Sequence, residues 1–262
     1  MRYGISSVIA LALSWCLLGV PMPALAQTAG EPRADRVYAV VSLIADSLRV
    51  LGQEPTTGSR LSRSSVESMP LEFDVLELSS VRAVTGAILK SDPRARVLPL
   101  KIIDSAVYSA QRDFAAGSKP DLPPAIMDAL RATPATHLIL VTRHRAEAKM
   151  QIKSQSLGAG NVEGVGVYLD RETRLLRIDG TNDPAAGYLG LYVYARLSLI
   201  DLRSLYVERV QTVTDGLAFG VTGTRTSADP WLVMDTATKV NTLRGMITQS
   251  LDAATARLLE GL

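Results

Sequence analysis

Residues 37–44 read VYAVVSLI, a continuous apolar run rich in β-branched side chains and about one strand long. A strand with one wet face alternates apolar and polar residues, so an unbroken run has to be covered on both faces, as in sheets flanked by helices. Two later segments repeat the feature, 96–103 (RVLPLKII) and 137–142 (HLILVT). Pro99 cannot donate to a ladder, which puts the first of these at an edge or a bulge. Helical patterns separate the runs. At 74–90 apolar residues recur at Val75, Leu78, Val81, Val84 and Ile88, three to four apart and on one helical face. Pro123 and Pro124 open a second helix reaching about residue 132, because proline suits the first turn. Strands alternating with helices in this order predict parallel pairing through right-handed crossovers.

After residue 142 the period changes to two. Arg143, Arg145, Glu147, Lys149, Gln151 and Lys153 alternate with His144, Ala146, Ala148, Met150 and Ile152, which predicts one extended strand with a charged face and an apolar face. The glycine-rich stretch 158–166 follows, then a hairpin of 164–169 with 173–178 around Asp170-Arg171-Glu172. Over 191–202, Leu191, Val193, Ala195, Leu197 and Leu199 oppose Tyr192, Tyr194, Arg196 and Ser198, and 206–214 returns as the second arm of a long antiparallel hairpin. Residues 54–68 and 180–187 have the composition of loops. Finally, Val240, Leu243, Ile247, Leu251, Ala254 and Leu258 predict a long amphipathic helix over 236–259 that covers one face of the sheet. The expected fold is one α/β domain over 36–262. Its single mixed sheet is parallel in the N-terminal part and antiparallel in the C-terminal hairpins.

Residues 1–26 carry an address. Arg2, the apolar run 8–20 and the small residues of Ala24-Leu25-Ala26 read as a secretory signal peptide. The run falls short of the roughly 20 residues a membrane-spanning helix needs, and Pro21 and Pro23 stop it. Cys16, the one cysteine, lies inside this run behind a bulky Trp15, where a lipoprotein cleavage box has a small residue. Cleavage after Ala26 leaves no thiol, and so no disulfide, cysteine nucleophile or zinc-thiolate site. Residues 27–35 read as a flexible lead-in. The expected location is the bacterial periplasm or the medium beyond it, with no transmembrane segment.

Several function classes fall away on sequence alone. With 28 basic and 26 acidic side chains the chain lacks the basic excess of a nucleic-acid binder. Gly158-Ala159-Gly160 precedes a strand, whereas a dinucleotide loop has to open a helix. Phosphate-loop, zinc-protease and serine-hydrolase motifs are absent from the sequence. His137 and His144 are seven residues apart and would point to opposite faces of a strand, so no metal is assigned, and no cofactor. One catalytic alternative remains: Asp46, Asp104 and His144 fall at the carboxyl ends of the predicted parallel strands, where ligands of open α/β sheets gather, and could serve a hydrolase. The binding candidates are Arg143, Arg145, Lys149 and Lys153, a stripe suited either to a solvated edge or to an anionic envelope component. Tyr192, Tyr194 and Arg196 join them, because five of the eight tyrosines lie between residues 168 and 206 and amphipathic aromatics favour interfaces.

The segments 135–145 (ATHLILVTRHR), 158–169 and 192–214 (YVYARLSLIDLRSLYVERVQTVT) resemble, in order and pattern, the curli-secretion-channel and TolB amino-terminal-like periplasmic domains. In those domains a strand led in by Ala-Asp-Tyr precedes an insertion, a hairpin reading about Leu-Arg-Leu-Val-Asp, here 197–201 (LSLID), and a C-terminal helix. The resemblance implies a non-enzymatic α/β module of an envelope assembly, with an envelope protein as partner. Leu202-Arg203-Ser204-Leu205 stands where the family turn has Thr-Gly, and Trp15 precedes Cys16 where channel members carry a lipoprotein box. The fold and the binding character are therefore what the resemblance carries over. The exported protein is expected to begin at Gln27. Intact-mass measurement checks this, and a mass retaining residues 1–26 or a lipid on Cys16 contradicts it.

Overall fold

The computed structural model describes residues 36–53, 64–70, 74–153, 155–175, 185–220 and 229–262. The expected leader and lead-in, and the second arm of the hairpin expected at 173–178 beyond residue 175, lie outside these residues. In chain order the elements are β1 (Val37–Ser42), β2 (Ser47–Gln53), β3 (Ser64–Pro70), α1 (Val75–Ser91), β4 (Arg96–Leu100), α2 (Ser105–Ala110), α3 (Pro124–Arg131) and β5 (His137–Arg143). Three short strands follow, β6 (Arg145–Glu147), β7 (Met150–Ile152) and β8 (Gln155–Leu157). Then come β9 (Asn161–Leu175), β10 (Ala185–Asp201), β11 (Tyr206–Gly220) and α4 (Thr236–Leu259). The fold is the mixed α/β sheet that the sequence predicts, parallel and antiparallel in the expected order, with a C-terminal helix.

β10 organises the sheet. One edge pairs with β11 along nearly its whole length. The other edge is divided: residues up to Tyr194 pair with β9, and Ala195–Asp201 pair with β5. Beyond β5 lie β1 and β4, all parallel; beyond β9 lie β2 and then β3. The sheet therefore forks at Tyr194 and Ala195, and the bend between β1 and β2 crosses the same fork.

Burial on both faces of β1 has a direct cause. Tyr38 and Val40 join a core with Leu76, Val84 and Ile88 of α1 and Leu243, Ile247 and Leu251 of α4. Ala39 and Val41 join a second core with Val107 and Tyr108 of α2 and Ile126 and Leu130 of α3. The step from β1 to β4 runs one way along the sheet and the step from β4 to β5 runs back across β1. Right-handed connections then place α1 and the α2–α3 pair on opposite faces.

Five local expectations are corrected. α1 forms, but its buried face is rotated: Leu76, Ser80, Ala83, Val84, Ala87 and Ile88 face inward, and Leu78 is 48% exposed. Small residues on that face let α1 approach both the sheet and α4. Helix α2 was not predicted; the Asp104 carboxylate caps it by accepting from Ala106 N at 2.8 Å. The expected loop at 54–68 gives way from Ser64 to β3, whose main chain finds an open partner in β2 whatever its side chains are. The expected hairpin turn at Asp170-Arg171-Glu172 lies within the continuous strand β9. Its Asp170 carboxylate accepts from Glu172 N and Thr173 N, both at 2.8 Å, and the register shifts opposite Gly187, whose φ is +86°. The turn chemistry is present, but the long partner strand absorbs it as a bulge.

The fifth correction concerns 143–153, which is not one strand. Arg143 ends β5, Arg145–Glu147 turns onto the start of β9, and Met150–Ile152 pairs with β8 and meets β11 at Leu217. These residues form a strap over a third core of Tyr168, Tyr188, Tyr192, Tyr194, Met150, Ala148 and Val162. Tyrosines and small residues alternate beneath the strap: Gly166, Tyr192 and Gly216 share one cross-strand row, and Tyr168, Gly190 and Ala218 the next. A Cβ at Gly216 would collide with the Lys149 carbonyl, so this glycine is what lets the strap lie down.

α4 runs over Thr236–Leu259 as predicted, with the Asp235 carboxylate accepting from Thr238 N at 2.7 Å. Leu251 is fully buried against α1 and β10 residues of the first core. Leu251→Ala is expected to cost about 2–5 kcal/mol in denaturant unfolding; a loss below about 0.5 kcal/mol, the surface range, would contradict this packing.

Candidate functional site

The fork leaves strand ends whose backbone groups need partners. Gln111, in the turn Gln111–Asp113 after α2, supplies them: its Nε2 donates to Leu43 O and to Tyr108 O, both at 2.7 Å, and its Oε1 accepts from Arg143 N at 2.8 Å. From the other face, Glu77 in the first turn of α1 accepts from Ala45 N through Oε2 at 2.8 Å. One buried amide and one buried carboxyl thus hold the bend between β1 and β2. Ser42 and Ser80 join their hydroxyls at 2.8 Å beside them.

A polar cleft of about 500 Å³ opens at this point. Arg143 at the end of β5 pairs with Asp46 of the bend. Glu163 near the start of β9 receives Arg112 at 2.8 Å and Arg49 of β2 at 3.5 Å. Arg143 is 89% screened from solvent, and its Nε has no hydrogen-bond partner in the structure. Three guanidinium groups and the carboxylates of Asp46, Asp113 and Glu163 leave the lining without net charge. Such a cleft can take an anionic group by exchanging one ion pair for another, since guanidinium forks suit carboxylate and phosphate.

Burial raises the Glu77 carboxyl from 4.5 to about 7, and nearby Asp46 adds to the shift, against the lowering pull of Ser42, Ala45 N and Arg143. Burial lowers both histidines; for His144 the charged neighbour is Arg196, which lowers it further.

Asp46, Asp104 and His144 are not brought together as a catalytic set. Asp46 is engaged by Arg143 and Asp104 by the helix it caps, and the charged group that acts on the His144 imidazole is Arg196, not either carboxylate. Among the described residues no group of three His, Cys, Asp or Glu side chains is placed to hold a metal ion.

The binding candidates also separate. Arg143 turns into the cleft, whereas Arg145, Lys149 and Lys153 are exposed on the strap, with Lys149 3.7 Å from Glu147 and Lys153 at a turn of φ 51°. Tyr192 and Tyr194 are wholly buried under the strap rather than offered at a surface. Tyr194 Oη accepts from Lys149 N at 2.9 Å and donates to Glu147 O at 3.0 Å. Arg196 is half-buried and donates to Ala115 O at 2.8 Å, pinning the loop after Gln111–Asp113. Sequence reasoning missed Arg49, Arg112, Glu163, Gln111 and Glu77. For Glu77 there was a signal, an acid three and seven positions before Ser80 and Val84 on a helix, but the chosen apolar face did not include it.

No family model matches the chain, and no curated protein matches it. Among solved structures it is similar to protein XCC0632 from Xanthomonas campestris, described as DUF330, at 15% identity over 86% of this chain and 81% of that one, with a TM-score of 0.29. It is likewise similar to hypothetical protein CT253 from Chlamydia trachomatis, at 12% identity over 86% and 99% of the two chains, also with a TM-score of 0.29. Likeness at this level carries no argument about function.

The raised Glu77 pKa makes a prediction with a definite sign. Between about 4.5 and 7 the folded protein holds a proton that the unfolded chain releases, so this group's contribution is full below its unfolded pKa and is lost as pH rises through about 7. The contribution is on the order of 3 kcal/mol. Glu77→Gln is expected to flatten the fall in unfolding free energy between pH 4 and pH 8, measured by denaturant titration on both proteins. Parallel profiles would contradict it.

Proposed function

We propose that this chain is an exported protein of the bacterial cell envelope that works by binding, as part of an assembly, and not by catalysis. The observation that carries the reading is the basic surface beside the fork. Arg145 pairs in register with Glu163, which lines the cleft, and Lys149 and Lys153 extend the exposed positive side chains along the strap. Arg49, Arg112 and Arg143 stand inside the cleft next to it. A rigid sheet with a positively rimmed, ion-paired recess suits recognition of an anionic envelope component, a phosphate-bearing or acidic group. The leader-like sequence at 1–26 and the resemblance to envelope α/β modules support the address. Among the described residues no helix is long and apolar enough to cross a membrane.

Reversing Arg145 and Lys149 together to glutamate is expected to weaken retention on isolated envelope while leaving the melting temperature nearly unchanged, because exposed charges add little to folding. Retention of the unaltered protein should also fall with added salt, since exposed charges are screened over about 10 Å at roughly 0.1 M. Sedimentation with envelope at two salt concentrations checks both. Equal retention of the two proteins would leave the strap charges as solvated edge residues.

A further inference from the structure

A second recess, separate from the polar cleft although Tyr108 borders both, lies between α1 and the end of β4. Its volume is about 110 Å³ and its walls are apolar, made by Leu78, Val81, Pro99, Leu100 and Ile102. Glu77 lines the same recess; its Oε2 is satisfied by Ala45 N, and its Oε1 is buried with no hydrogen-bond partner, the nearby Ser42 hydroxyl, which favours the ionised carboxyl, being joined to Ser80 at 2.8 Å. A buried carboxylate oxygen without a donor is costly and marks a place where a donor is missing.

The two cations that bear on this recess are engaged elsewhere. Lys101, at the rim, pairs with Asp74, and Arg143 pairs with Asp46. Among the described residues no ion pair includes Glu77. We propose that this recess is a binding site for a small aliphatic primary amine, its ammonium group donating to Glu77 Oε1 and its carbon chain lying against Leu78, Val81, Pro99, Leu100 and Ile102. The size agrees: the recess is smaller than the roughly 150 Å³ apolar cavity that accepts benzene, which points to a branched chain of about four carbons. The inference goes beyond the proposed envelope role and stands independently of it.

The groups that face Glu77 set the pH dependence. They are Ser42, Ala45 N and Asp46 at the end of β1 and its bend, Arg143 of β5, Tyr108 of α2, and Asp74 and Lys101 at the rim. An alkylamine resembles lysine, with a pKa of about 10.4, and stays charged from pH 6 to 8. Glu77, titrating at about 7, passes from largely neutral to largely ionised over that range.

The test is a titration of the purified protein with isobutylamine, and with isobutanol as the neutral isostere, followed by amide shifts in proton–nitrogen NMR spectra. Isobutylamine is expected to move the amides of Leu78, Leu100 and Ile102, to bind at least tenfold more tightly than isobutanol at pH 8, and to lose about tenfold in affinity at pH 6. Glu77→Gln, which keeps the side-chain volume, is expected to remove the preference for the amine. Val81→Phe, which fills the recess, is expected to remove both ligands while Glu77 is untouched. Shifts scattered over exposed carboxylates, equal affinity for amine and alcohol, or undiminished amine binding by Glu77→Gln would each overturn the proposal. Failure of these binding tests would leave the envelope-retention experiment unaffected, so the two readings are distinguishable.

Discussion

The structure depends on how the main chain is satisfied where β10 changes partner. A strand of seventeen residues is longer than either β5 or the paired part of β9, so its second edge is shared, and the two partners end at the same place. Exposed strand ends in a dry sheet would each forfeit a hydrogen bond, at a cost of about 1–3 kcal/mol per buried group. Gln111 answers two of those needs, at Leu43 O and Arg143 N, with one side chain that also ties back to Tyr108 O of its own helical segment, and Glu77 answers a third from the opposite face. Both residues belong to helical turns packed on the sheet, so the helices hold the fork as well as covering the core.

The strap follows from the same geometry. Between the end of β5 and the start of β9 the chain has to leave the sheet and return, and it spends residues 144–153 and 155–160 lying across β9, β10 and β11. The face it covers alternates tyrosine with glycine or alanine across neighbouring strands, which provides large apolar rings with room between them for the strap backbone. Tyr168 and Tyr194 spend their hydroxyls on strap main-chain groups, so the rings are buried without stranding these polar ends.

Charge is arranged locally. Arg143 and Asp46, and Arg112 and Arg49 with Glu163, are neighbours because the fork brings β1, β2, β5 and β9 to one point. Another buried charge, Lys239 of α4, is held by the carbonyls of Trp231 and Met234 and lies 4.1 Å from the Trp231 ring centre, so it anchors the turn Pro230–Val233. Glu77 differs from both, with one oxygen satisfied and the other not, and the cation that acts on it, Arg143, is paired with Asp46 instead.

The apolar runs at 37–44, 96–103 and 137–142, the alternation over 191–202 and the helical spacing over 236–259 determined the sheet, its mixed direction and the covering helix. Burial preference is a local property, and each of those patterns spans enough residues for its period to be unambiguous. Alternation over 145–153 was also legible: Arg145, Glu147, Lys149, Gln151 and Lys153 are exposed, while Ala148 and Met150 are buried. That this segment lies over the tyrosines as a strap, instead of extending β5, was decided by Gly216 and by the edge of β9, where Asn161 pairs with Glu147 and Glu163 with Arg145; neither Gly216 nor that edge lies within the alternating run itself. The rotated face of α1 was settled by contact with α4, about 160 positions later. The candidate site was the least legible part, because Arg49, Glu77, Gln111, Arg112 and Glu163 come from five separate segments. Their proximity depends on strand pairing, and pairing is a long-range choice that no local period records.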